Sequence, residues 1–277
     1  MHSILFGLAS ALFWGAGDFA GGLVSRRANA VRASLYVQAG GLIPVLAIAL
    51  FTRQLNMSLV DWLWCGAAGV IGSLGFLALY RALADGQMSS AAPIAAVTSA
   101  GLPAIVGVLR DGVPSASIQA GFIFALAAIW LISQSGAGTI KLRLKDLLLP
   151  FLAGLGFGIY FILVDIGGQT SIFAPLVAVR GAGGLTLMIV AAFNKEVRLP
   201  SRSMLPLVIF NVSVDVLGSL FFILAVQSGR MDIAAVLGSL YSGATVLLAW
   251  LILREKISGI QRIGVAIALL AIILITI

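Results

Sequence analysis

Long apolar runs separated by short polar gaps make up almost the whole chain. Each run holds about 20 residues, the length of an α-helix that crosses the hydrocarbon core of a bilayer. The gaps carry charged and turn-forming residues, as in Ser25-Arg26-Arg27 and Asp85-Gly86. Strands of a β-barrel would instead alternate apolar and polar residues over about ten positions. The pattern predicts an all-α integral membrane protein with ten transmembrane helices near residues 3–24, 33–52, 62–83, 89–109, 117–135, 148–168, 174–193, 204–227, 233–253 and 260–277.

The two halves of the chain share a single register. A shift of 143 residues places Trp14-Gly15 on Phe157-Gly158, and Ala39-Gly40-Gly41-Leu42 on Ala182-Gly183-Gly184-Leu185. Chance overlap of apolar helices would match Leu and Ala, but it explains poorly why glycines and a four-residue run share one offset. We therefore predict two repeats in one membrane unit, over residues 1–137 and 144–277. Because each holds five helices, the second enters the membrane from the opposite side, which is the inverted repeat of many secondary transporters.

Composition agrees with a membrane protein. Of the 277 residues 61% are hydrophobic and only 10% charged, whereas a soluble domain carries about 25% charged residues. The net charge of +7 comes from basic residues in the gaps. There they are explained better as topology signals facing lipid headgroups than as a nucleic-acid surface. A single histidine, His2, and a single cysteine, Cys65, argue against a metal site or an intrachain disulfide. The partners we expect are the lipid bilayer and a small molecule, without a cofactor.

Asp215 is the most informative single residue. It lies near the centre of the eighth predicted span, where a charged side chain costs at least about 2.5–3.5 kcal/mol on insertion scales. Asn211 one helical turn earlier and Gly218 about one turn later share its helix face. We predict that Asp215 faces an internal cavity and takes part in proton coupling or substrate binding. The alternative is a packing role, with Asp215 hydrogen-bonded to a neighbouring helix.

Other polar residues within the spans are weaker candidates. Asp18 in helix one either lines the cavity from the other half or lies near the membrane interface. Asp165 and Arg180 lie near the facing ends of helices six and seven, where they would pair, unless Arg180 holds an anionic group of the substrate. Tyr241 and Ser242 in helix nine suit a pocket with apolar and polar parts, or else bond neighbouring helices. Further candidates for substrate binding are Trp14, Gln38 and Tyr160.

Several motifs spread over the whole chain are shared with one known family. They are the Trp14-Gly15 pair, an arginine entering the second helix of each half (Arg32 and Arg180), and Arg254-Glu255-Lys256 before the final span. With ten helices as five plus five, the chain resembles the EamA type of the drug/metabolite transporter superfamily. Arg110-Asp111-Gly112 departs from the pattern, which has Arg-Glu there. The resemblance implies proton- or gradient-linked export or exchange of amino acids, other metabolites or drugs by alternating access.

Other functions remain to be weighed against this one. An uncoupled facilitator would use Asp215 to bind a cationic substrate directly, as would an exporter of quaternary ammonium compounds or drugs. An intramembrane enzyme would need catalytic side chains clustered at one depth, and the sequence offers no such set. We therefore predict no catalytic residues.

The basic residues also predict an orientation in the cell membrane. Three lie in gaps after even-numbered helices, namely Arg53, Arg110 and Arg230. Thirteen lie in gaps after odd-numbered helices: Arg26, Arg27, Arg32, Arg81, Lys141, Arg143, Lys145, Lys195, Arg198, Arg202, Arg254, Lys256 and Arg262. The positive-inside rule places the odd gaps in the cytoplasm and both termini outside. Families of the type that the chain resembles more often have both termini inside, so the two indications differ.

Overall fold

The computed structural model describes residues 2–84, 88–132, 144–253 and 258–276. In these ranges the chain forms eleven helices: α1 (His2–Ala28), α2 (Ala30–Phe51), α3 (Leu59–Ala84), α4 (Met88–Asp111), α5 (Ala116–Ile132), α6 (Leu144–Gly167), α7 (Phe173–Phe193), α8 (Leu205–Gln227), α9 (Met231–Gly238), α10 (Tyr241–Leu253) and α11 (Gly259–Thr276). Arg254-Glu255-Lys256, Asp85-Gly86 and residues 138–143 between the two predicted repeats lie outside the described residues.

Helices occupy all ten predicted positions, but the ninth is divided. The chain leaves the helix at Ser239 and Leu240, so that α9 and α10 replace one predicted span. Two tight bonds close the break, from the Leu240 N–H to the Leu237 carbonyl at 3.1 Å and from the Gly243 N–H to the Leu240 carbonyl at 2.9 Å. The neighbouring Gly238-Ser239 pair is of the kind that permits such kinks. The prediction of a continuous ninth helix is therefore wrong at this point.

Length and surface both fit a bilayer. Seven helices, α1 to α4 and α6 to α8, are long and apolar enough to cross a membrane, and Ala116–Ile132 and Gly259–Ile275 are shorter apolar helices. Large apolar side chains lie on the outside of the bundle, including Ile43 at 72% and Leu109 at 81% exposure. Such a surface is stable against lipid tails and costly in water.

Helices of the two halves pack against each other more than within each half. α1 lies along α8 as α3 lies along α6, and α9 and α10 pack on α1 as α4 packs on α6. α2 packs on α7, and α5 on α11. Small residues allow this closeness: a Cβ at Gly154 of α6 would lie 2.6 Å from the Ala95 carbonyl oxygen of α4. The centre of the bundle is thus built jointly by both halves.

Loops at the two ends of the bundle form separate groups of contacts. At one end, Arg32 Nε lies 2.7 Å from Glu196 Oε2, which joins the start of α2 to the α7–α8 connection. At the other end, the Ser171 hydroxyl donates to the Gln54 carbonyl at 3.2 Å, and the Arg230 guanidinium donates to the α4–α5 loop. We call the first the basic end and the second the opposite end.

Candidate functional site

A cavity lies between the two halves. Residues of α1, α2 and α3 line it from the first half, and residues of α6, α7, α8 and α10 line it from the second. The empty space between its walls, including open solvent, is about 580 Å³, of which about 50 Å³ could hold the centres of water-sized molecules.

Aromatic residues are six of the fifteen described residues that line the cavity. The rings of Trp14 and Phe161 stack with centroids 5.7 Å apart, and Phe161 in turn packs on Phe222 at 4.6 Å. A glycine on α3 allows the Tyr160 ring to pack closely against this helix, since a Cβ at Gly72 would lie 3.1 Å from that ring. The aromatic residues lining the cavity are Trp14, Phe76, Phe157, Tyr160, Phe161 and Tyr241.

An ion pair between Arg180 of α7 and Asp215 of α8 is built into this wall. The two side chains are only 2% and 7% exposed. Arg180 Nη1 donates to Gln38 Oε1 at 3.3 Å and to the Val37 carbonyl at 3.4 Å, and Nη2 donates to the Ser219 hydroxyl at 3.0 Å. Only Nε lacks a hydrogen-bond partner among the described residues. Most polar atoms of the two side chains thus have a partner within the protein. A buried ion pair needs such partners if it is not to destabilise the fold.

Asp18 of α1 lines the same cavity, but its surroundings differ from those of Asp215. Its side chain is partly exposed there, and no described residue bonds or pairs with its carboxylate. It lies one helical turn after Trp14 and lines the cavity together with Asp215 and Tyr241. The cavity wall therefore carries two carboxylates and one guanidinium, that of Arg180, which is already paired.

Seven of the nine candidate residues line the cavity: Trp14, Asp18, Gln38, Tyr160, Arg180, Asp215 and Tyr241. Asn211 and Ser242 are buried but absent from its lining. Asn211 lies beside the Tyr80 hydroxyl instead. The Trp14 indole packs directly against Gly218, since a Cβ at Gly218 would lie 2.5 Å from Trp14 Cδ1. The polar face predicted around Asp215 is thus divided between the cavity and helix packing.

The predicted pairing of Asp165 with Arg180 is wrong. Asp165 Oδ2 accepts from Arg110 Nη1 at 2.6 Å, which ties the end of α6 to the end of α4. Arg180 lies two turns into α7, which packs on α2 and α3 and carries the side chain toward Asp215. Nearness in sequence misled the prediction because α6 and α7 do not share a long interface.

Eight further residues of the described lining were not predicted: Ala68, Gly69, Gly72, Phe76, Phe157, Phe161, Val179 and Ser219. Three of them had a signal in the sequence. At the offset of 143 residues, Phe157 and Phe161 are the equivalents of Trp14 and Asp18, and Ser219 lies one helical turn after Asp215. Phe76, by contrast, is an apolar residue in an apolar helix that resembles its lipid-facing neighbours.

A multi-helix membrane bundle with a central cavity between two halves is the class that these features define. The model of the EamA-like transporter family matches residues 1–134 and 144–277. The chain belongs to this family, and its predicted place in the drug/metabolite transporter superfamily is confirmed. The two matched ranges begin 143 residues apart, the offset of the predicted repeat.

Solved structures share the fold. Twenty-four chains of solved structures match this one. One of them, described as the crystal structure of a protein, superposes with a TM-score of 0.78 over 98% of this chain and 95% of its own, at 16% sequence identity. No curated protein sequence matches the chain. Members of the EamA family are transporters rather than enzymes, and this chain is accordingly a multi-pass membrane protein of the transporter type.

Proposed function

We propose that the protein is a secondary transporter that carries a small organic metabolite or a drug-like compound across the cell membrane by alternating access. The observation that supports this most is the cavity lined from both halves, with Asp18, Arg180 and Asp215 among aromatic rings. Ionisable residues within membrane helices mark substrate and proton pathways far more often than packing sites. A site at the interface between two repeats is accessible to each side in turn when one half rocks against the other.

The proposed mechanism uses an inverted repeat of five plus five helices, in which α9 and α10 count as one. The Arg32–Glu196 contact supports it, because the start of the second helix of one half meets the loop after the second helix of the other. Parallel halves would place these two segments at opposite ends. The exchange of helix contacts between halves, with α1–α8 matching α3–α6, supports the same arrangement.

Proton coupling is proposed to reside in the cavity carboxylates. Asp215 already has Arg180 as its counter-charge, whereas Asp18 has none among the described residues. Asp18 is thus the carboxylate that can more readily exchange a bound proton for a substrate. Asp215 takes part through its ion pair with Arg180. An uncoupled facilitator with the same cavity is the second candidate, and it differs in showing no response to a pH gradient.

The orientation that we propose places the basic end in the cytoplasm and both termini outside. Near the N-terminus, Ser3 lies against Gly229 of the α8–α9 connection, at the opposite end. Near the C-terminus, Ile275 lies against Gly121 in the first turns of α5, also toward the opposite end. Both neighbours agree with termini on the side away from most of the basic residues, which the positive-inside rule places in the cytoplasm.

Transport in proteoliposomes tests the proposal. Purified protein would be assayed with amino acids, organic amines and drug-like compounds, with and without a pH gradient. We expect at least one class to accumulate in response to the gradient, and Asp18→Asn and Asp215→Asn to abolish that response. Asp61→Asn is the matched control, since Asp61 bonds Ser58 at the start of α3 and lies outside the cavity.

Two results would contradict the proposal. The first is that no compound in the panel crosses the membrane faster with protein than without it. The second is that both cavity variants transport like the Asp61→Asn control at every pH, which would leave the carboxylates without a coupling role.

A further inference from the structure

The charged side chains of the cavity determine which class of substrate it can bind. This inference rests on the proposed transport function. A ligand in a low-dielectric cavity must neutralise whatever charge the wall leaves unpaired. The relevant charges are those of Asp18, Arg180 and Asp215, since these are the charged side chains among the described lining residues.

Arg180 is poorly placed to receive an anionic ligand. Its two terminal nitrogens are occupied by Asp215, Ser219, Gln38 and a backbone carbonyl. A carboxylate of a ligand would have to displace Asp215, and Asp215 would then be a buried carboxylate without a counter-charge. Breaking a buried pair by removing one partner is costly for this reason. The only guanidinium in the described lining is thus already committed to the protein.

Asp18 is the complementary case. Its carboxylate reaches the cavity without an ion pair or a hydrogen bond to any described residue. Trp14, one turn earlier on the same helix, and Tyr241, on the same cavity wall, contribute aromatic rings to the space that Asp18 lines. Aromatic faces attract cations that have lost their water, and Trp attracts them most strongly.

We infer that the cavity binds a monovalent organic cation, such as a protonated amine on an aromatic or apolar body, with Asp18 as its counter-ion. The body packs on the rings of Trp14, Phe157 and Phe161, and the Arg180–Asp215 pair stays closed beside it. A zwitterion with the same body binds less tightly, because its carboxylate meets two protein carboxylates and no free guanidinium. A dianion or a simple carboxylate is excluded by the same charges.

Four compounds that share an indole ring test the charge class directly. They are tryptamine, which is a cation, the zwitterion tryptophan, the neutral tryptophol and the anion indole-3-acetate. Binding to the purified protein is measured by calorimetry at neutral pH. We expect tryptamine to bind at least about tenfold more tightly than tryptophol, and tryptophan and indole-3-acetate to bind more weakly than tryptophol.

Variants assign the effect to Asp18. In Asp18→Asn we expect the preference for tryptamine over tryptophol to fall to within about twofold, while Asp61→Asn retains the full preference. Thermal unfolding and tryptophol binding show whether Asp18→Asn is folded, and the comparison of the four ligands on the unmodified protein needs no variant at all.

The possible outcomes test the cationic substrate class separately from the proposed transport function. If tryptophan or indole-3-acetate binds most tightly, or if tryptamine binds no better than tryptophol, the cationic class is wrong, although transport of another class would leave the proposed function intact. If Asp18→Asn keeps the preference for tryptamine, Asp18 is not the counter-ion. Transport of no compound at all would instead overturn the proposed function.

Discussion

Removing either charge of the Arg180–Asp215 pair should destabilise the protein, and the two losses should not add when both charges are removed together. Asp215→Asn leaves a guanidinium, and Arg180→Gln a carboxylate, in surroundings where the two side chains are 2% and 7% exposed. Removal of one partner of a buried pair costs about 3–5 kcal/mol. After Asp215→Asn, Arg180 keeps its bonds to Gln38 and Ser219, which places that variant at the lower end of about 3 kcal/mol.

The double variant Arg180→Gln/Asp215→Asn tests the coupling. It contains no orphaned charge, so we expect it to lose less free energy of unfolding than the sum of the two single variants, by about 1–3 kcal/mol. Reversible unfolding in mixed detergent micelles, followed by tryptophan fluorescence, measures all four members of the cycle. The control cycle is Arg32→Gln with Glu196→Gln at the basic end, where partial exposure should make the coupling much weaker.

One result would refute this reasoning. If the losses of the two single variants add up to that of the double variant within about 0.5 kcal/mol, the residues do not interact energetically. The ion pair would then contribute nothing to the stability of the fold, and Arg180 would be free to bind a substrate anion.

Three further predictions concern packing, pH and orientation. Gly218→Ala forces its Cβ to within 2.5 Å of the Trp14 indole and should lower transport, whereas Gly101→Ala, whose Cβ meets nothing within 4 Å, should leave it unchanged; equal transport by both variants would contradict the packing. At the basic end, the hydrogen bond from Arg32 holds the pKa of Glu196 below its usual 4.5. The stability that this contact contributes is therefore present at neutral pH and is lost as the pH falls through the lowered pKa of Glu196. Acid unfolding of Glu196→Gln should lack that component, and an unchanged acid profile would count against it. In a cysteine-free background, Thr52→Cys should react with an impermeant maleimide in intact cells and Glu196→Cys should not; the reverse pattern would invert the orientation.

Membrane helices and isolated polar residues could be predicted from the sequence. A run of about 20 apolar residues has few alternatives to a spanning helix, because lipid leaves no partner for exposed backbone groups. Asp18, Gln38, Arg180 and Asp215 stood out for the same reason, since a polar side chain in such a run must find a cavity or a partner.

The partner and the facing direction could not be predicted in the same way. A helix that is apolar all round does not show which face meets protein and which meets lipid, so Phe76 resembled its neighbours. Pairing depends on which helices touch, and Arg180 reaches α8 rather than Asp165 because α7 packs across the other half. The break at Ser239 likewise depends on local hydrogen bonding that Gly238-Ser239 permits but does not require.

The two halves contribute different things to the cavity. At the offset of 143 residues, Arg180 and Asp215 correspond to Val37 and Gly72, while Asp18 corresponds to Phe161. The second half therefore supplies a neutral pair of charges where the first half supplies Val37 and a glycine that packs on the Tyr160 ring. In the proposed repeat, an assembly of two second halves would hold two closed ion pairs and no free carboxylate. An assembly of two first halves would hold two free carboxylates and no guanidinium. In such a repeat, fusion into one chain would allow each copy to specialise, and a cavity with a single unpaired charge is one that neither copy could form as a symmetric dimer.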